Sequence, residues 1–172
     1  MVIGLNLCPF ARRVFEADVI RYTVSDARDE VRLLEELSIE LKTLVSAAPS
    51  KIETTLLIHP LVLGNFYDYN DFLGAGERRI AELGLRGAVQ IASFHPDYLF
   101  AGVDSNAVEN FTNRSPYQML HLLREASVSA AAADASELLK IPLHNVETLR
   151  ALGRERMLER LRDLEDPPES RR

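Results

Sequence analysis

Residues 90–125 read QIASFHPDYLFAGVDSNAVENFTNRSPYQMLHLLRE, and the architecture hangs on how this passage divides. Its first residues close a run from Gly87 to Phe94 in which Val89, Ile91 and Ser93 alternate with Ala88, Gln90, Ala92 and Phe94. That two-residue period is a strand. Ser115-Pro116 suits a helix start, so the residues after it read as a helix that carries His121 through the alanine-rich stretch near Ala133. The irregular loop between them, with its flanks, holds two of the four histidines, two arginines, three asparagines and five aromatics. Loops concentrate such residues where a rigid scaffold supports a site.

Upstream, Cys8-Pro9 opens a short helix to about Ala17, and Val19 to Val24 is β-branched and roughly alternating, a strand. Ser25 and Asp26 are expected to cap a helix from Ala27 to about Ala47, with apolar residues at 31, 34, 37, 41 and 44 on its buried face. Ile52 to His59 reads as a buried strand stopped by Pro60. Phe66 to Leu83 reads as a helix ending at Gly84, its aromatics Phe66, Tyr67, Tyr69 and Phe72 mainly core. A last helix spans about Val146 to Leu164. The order strand–helix–strand–helix–strand predicts an α/β fold: a small three-stranded or slightly larger parallel or mixed sheet covered by helices, with a helical C-terminus. A ferredoxin-like α+β sheet is the alternative, if a further strand lies within 99–109. Residues 1–166 are expected to form a single domain and 167–172 a disordered tail. Met1 to Leu5 is apolar from the first residue, so it is expected to tuck into the core or to follow an element not in this chain.

A chain of 172 residues with a net charge of −6 is large enough for one real core. It lacks the clustered basic excess that binds a phosphate backbone, so no nucleic-acid partner is expected. The basic run from Arg150 to Arg162 is interleaved with Glu155 and Glu159, the pattern of a solvated helix face. The single cysteine, Cys8, fits a reducing compartment. No run approaches the roughly 20 apolar residues that span a bilayer, and no signal peptide precedes the first strand. A cytoplasmic protein without a membrane partner is the expectation.

Four groups of residues carry candidate chemistry. On a helix, His121 and Glu125 would lie one turn apart, with the carboxylate orienting the imidazole as an acid/base and Arg124 beside them. His95 leaves a strand at its carboxyl end, where ligands bind in α/β folds, with Asp97 and Tyr98 next to it. Asn113 and Arg114 stand at an expected helix N-terminus, suited to a carboxylate or phosphate. Cys8 at a helix start would be a nucleophile if it reached the same cleft. The plain alternatives are a surface pair, a capped turn, ordinary capping and inert packing. A variant makes His95, His121 and Glu125 metal ligands, with Asp97 as a further ligand or a support behind them, although no compact metal motif such as H-E-x-x-H is present. No cofactor is specified. His59 and His144 read as structural.

The phrases GLNLCPFA (4–11), ETTLLIHP (53–60), QIASFHPDYLFAG (90–102) and NFTNRSPYQMLHLLREAS (110–127) resemble a bacterial family catalogued as domain of unknown function 1415. The resemblance covers about Val2 to Leu152. It implies a stand-alone protein, with a helical lead-in before GLNLCPF in related chains, and it implies no reaction or cofactor. From the residues themselves the expectation is an enzyme acting on a small anionic molecule through a His/Glu/Arg cluster: His121, Glu125 and His95 for chemistry, Asn113, Arg114 and Arg124 for binding. The competing expectation is a non-catalytic small-ligand or metal-binding protein, or a subunit of an assembly such as a homo-oligomer, with the aromatic loop as its interface.

Overall fold

The computed structural model describes residues 2–131 and 135–165; the tail expected over 167–172 lies outside them. Among the described residues the chain forms α1 (Pro9–Glu16), β1 (Ile20–Val24), α2 (Glu30–Ser46), β2 (Thr54–Ile58), α3 (Phe66–Glu82) and β3 (Val89–Phe94). A 3₁₀ turn at Val108–Thr112 follows, then β4 (Met119–Arg124), α4 (Glu125–Ala131), α5 (Ala135–Leu152) and α6 (Arg154–Glu165). The fold is the expected mixed α/β arrangement with a helical C-terminus. The sheet has four strands in the order β1-β2-β4-β3. β1 and β2 run parallel, and β4 is antiparallel to both its neighbours. β2 and β3 therefore point the same way with β4 between them, which is not the ferredoxin-like pattern. No strand lies in 99–109; the additional strand is 119–124.

That strand overturns the helix expected from Ser115 onward. MLHLLR is rich in helix-formers, and a central strand apolar on both faces lacks the alternation that would betray it. Its neighbours decide the matter: β2 and β3 leave a gap in which β4 completes two ladders. Leu120 and Leu122 then point to one face and are fully buried, while Met119, His121 and Leu123 point to the other. The helix begins only at Glu125.

Two other boundaries differ from expectation. Asp29, rather than Ser25 or Asp26, caps α2, its carboxylate accepting from the Arg32 N–H at 2.9 Å. Ser25 instead accepts from the Ala27 N–H and closes the turn before it. The buried stripe of α2 is Leu33, Leu37, Leu41 and Leu44, and Val31 is exposed. The single C-terminal helix is two helices, α5 and α6, broken at Gly153, whose φ of 80° is left-handed.

The main core lies between one sheet face and helices α2 and α3. It contains the α2 leucines, Tyr69, Phe72 and Ile80 of α3, and Leu57, Val89, Leu120 and Leu122 of the sheet. A second, smaller core gathers Leu7, Phe111, Leu149, Met157 and Leu161, with Val2 and Leu5 against it. The apolar N-terminal segment thus does tuck into a core. No described helix is long and apolar enough to cross a membrane.

Candidate functional site

The residue-dense loop between β3 and β4 spends its polar groups on its own backbone. Asn110 accepts from the Phe100 N–H and donates to the Asp104 carbonyl. Asn113 donates to the Ser93 carbonyl, and its own carbonyl accepts from the His95 N–H. Arg114 donates to the carbonyls of Tyr98 and Ser105, and its guanidinium lies 4.7 Å from the centre of the Phe111 ring. Burial holds the Arg114 pKa below its ordinary value. A connection this long has no ladder of its own, so side chains supply the missing partners. No helix starts at Ser115, so the anion cradle expected at 112–116 has no helix terminus behind it.

His95 is sealed, with no accessible surface. Its Nδ1 accepts from the Asp97 N–H at 3.0 Å and its Nε2–H donates to the Leu63 carbonyl at 3.2 Å. Both nitrogens are committed to the backbone, and burial lowers its pKa. His59, equally sealed, donates from Nδ1 to the Val62 carbonyl at 3.2 Å. Burial takes its pKa to about 4, and its Nε2 is a buried atom without a partner. Tyr69 lies between the two histidines, its ring centre 5.8 Å from His59 and 5.1 Å from His95. The Tyr69 hydroxyl donates to the Met119 carbonyl and accepts from the Phe94 N–H. This group clamps the β2–α3 loop, in which Leu63 holds a φ of 61°, a conformation that bulky residues keep only under constraint. Tyr98 packs its ring on Phe66 and Phe100, while Asp97 is exposed and meets the cluster through its N–H.

His121 lies on the other face of the sheet. Its Nε2 is 2.7 Å from the Thr54 hydroxyl, which itself donates to the Leu122 carbonyl at 2.7 Å. The hydroxyl proton is spent there, so Nε2–H is the donor and Nδ1 carries the lone pair. Nδ1 has no hydrogen-bond partner among the described residues. Burial pushes the His121 pKa down to about 4. The residue nonetheless keeps part of its surface accessible, unlike His59 and His95. The imidazole is thus surrounded by protein yet still reachable at its surface.

Pairing register places Ala92, His121, Leu56 and Tyr22 in one row across all four strands. Phe94, Met119, Ile58 and Val24 form the row on one side, and Gln90, Leu123, Thr54 and Ile20 the row on the other. Ala92 leaves room beside the imidazole, and the Phe94 ring centre is 6.2 Å away. Among the described residues, the apolar members of this face belong to neither packed core.

The expected cluster therefore does not assemble. Glu125 opens α4 beyond the end of β4, its N–H donating to the Ala88 carbonyl, and is not stacked one helical turn from His121. Arg124 reaches under α2 and donates to the carbonyls of Leu44, Ala47 and Ile52 at 2.5–3.3 Å. His95 and His121 point to opposite faces of the sheet, and among the described residues no three His, Cys, Asp or Glu side chains gather at metal-binding separation. Cys8 precedes α1 in extended conformation, half-buried beside the second core. The strand alternation that puts Thr54, Leu56 and Ala92 around His121 was readable only once 119–124 was read as a strand.

No curated protein and no solved structure matches this chain. A family model does, over residues 1–159, and it is described as a protein of unknown function. With the match extending over the whole sheet, the main core and all of the second core but Leu161, the chain belongs to that family, DUF1415.

Proposed function

We propose that this protein binds a small, largely apolar organic molecule on the second face of its sheet, with the His121 imidazole accepting a hydrogen bond from it. The observation that carries this reading is the His121–Thr54 pair: a neutral ring, fixed in one tautomer, whose acceptor has no partner among the described residues and which stands on an apolar, partly accessible sheet face. Small-molecule sites have that composition, apolar walls with a few placed polar groups.

The same facts favour binding over acid–base catalysis. A general base works best with a pKa near the operating pH, and a ring at about 4 is too weak to hold a proton at neutrality. They also favour a neutral ligand over the anionic one that the arginines suggested. Arg114 and Arg124 are engaged with main-chain carbonyls, and no charged side chain lies among the twelve residues of this face.

A small-molecule fragment screen read by amide chemical shifts tests the proposal. Hits are expected to move the signals of Thr54, Leu56, Ala92 and His121, and to vanish in His121→Phe protein whose melting temperature is within a few degrees of wild type. Hits mapping instead to the 95–117 loop, or retained at full affinity by His121→Phe, would overturn it.

A further inference from the structure

Resting on the proposed binding site at His121, we infer that its ligand is an amphiphile: a neutral hydrogen-bond-donating head on the imidazole and an apolar tail running across β2 to the open edge of β1. Three observations carry this. The row through His121 continues to Leu56 and ends at Tyr22, flanked by Ile58 and Val24. Tyr22 and Val24 keep 56 % and 69 % of their surface exposed, a contiguous apolar end to the row that a monomer leaves in water only at a cost. In the other direction β3 is the edge, one strand away, and the row ends there on Ala92, whose single methyl offers a tail little surface.

The head is set by complementarity. Nδ1 is an acceptor on a neutral ring, so a hydroxyl or amide N–H matches it, whereas a carboxylate would set lone pair against lone pair. The tail is set by length. Two inter-strand steps of ~4.8 Å take the row about 10 Å from His121 to Tyr22. A second copy of this chain fits the face poorly. Four strands of about five residues present roughly 300 Å² in projection, well short of the ~800 Å² per partner of a stable interface.

Phenol and its 4-ethyl, 4-butyl and 4-hexyl derivatives are suitable probes, titrated into wild-type protein by calorimetry, with amide shifts as an independent map. Affinity is expected to rise about two- to fourfold per methylene as the tail is buried, with Ile20 to Val24 amides responding to hexylphenol and not to phenol. Tyr22→Ser/Val24→Ser protein is expected to bind phenol unchanged and to lose the gain from the tail. Both side chains are exposed, so the fold tolerates this change, and the shift map on wild type stands without it. His121→Phe is expected to weaken every member of the series by a common factor of about ten. If phenol binds at His121 and the tail adds nothing, the amphiphile inference fails and the binding site stands. If no member binds, phenol included, both fail. A dimer in light scattering whose interface protects the β1 amides would also overturn the inference, since the face would then be a protein contact.

Discussion

Arg124 ends β4 with its guanidinium lodged under the last turn of α2, where helix carbonyls have no partner within the helix. It donates to Leu44, Ala47 and Ile52, so one side chain closes a helix, fixes the α2–β2 turn and ties both to the central strand. Arg124→Met keeps most of the stem and removes every bond. Unfolding in urea should show a loss of about 2–3 kcal/mol, the scale of leaving buried carbonyls unpaired, with phenol affinity unchanged. A loss of binding without a loss of stability would assign the arginine to the site instead. Residue types in the sequence pointed at chemistry, but their partners did not show. Arg114, Asn113 and His95 look in sequence like groups waiting for a ligand, and in the fold each already holds a main-chain atom. His121 was legible as a candidate for the wrong reason, because its supposed helical neighbour Glu125 is not its partner. Thr54, 67 residues earlier, carries no local sign of that role.

Strands and helices separate differently. α2, β2, α3 and β3 were legible because each has one buried face and a clear stop: Gly84 with a φ of 70° after α3, Pro60 after β2. β4 was not, since Leu and Met favour a helix and only tertiary context overrides that preference. The strand assignment makes a sharp expectation. Leu122→Ala, on the fully buried face, should cost about 2–5 kcal/mol in urea unfolding, while Leu123→Ala, one residue on, lies on the partly accessible opposite face and should cost clearly less. Equal costs at the two positions would contradict the alternation. The break at Gly153, φ 80°, was likewise hidden inside a continuous amphipathic pattern. There, φ lies where side chains are strained and a Cβ would meet nothing within 4 Å, so Gly153→Ala should lose about 1 kcal/mol from backbone conformation alone.

For the whole molecule, acid is the informative perturbation. His59 and His121 have folded-state pKa values of about 4, and His95 is shifted the same way. Their ordinary value is 6.5, so below that pH the unfolded chain binds protons that the folded chain refuses. Stability is then complete above about pH 6.5, falls as pH drops through 6 and 5, and stops falling on this account near pH 4. The sealed His59 alone contributes about 3 kcal/mol across that window; His121, still partly open to solvent, contributes less. Urea midpoints at pH 7 and pH 5 measure this directly, and equal midpoints would mean that the histidines are protonated without penalty. The order β1-β2-β4-β3 has one more consequence, for the way the chain comes together. β3 pairs with β4 alone, so until residue 124 is available the first three strands make no common sheet, and a nascent chain ending before Met119 presents β2 and β3 with their inner edges bare. The keystone is synthesised last, after a 24-residue detour. Formation of the sheet is therefore a single late, long-range event, and the exposed edges that precede it are where aggregation competes with folding.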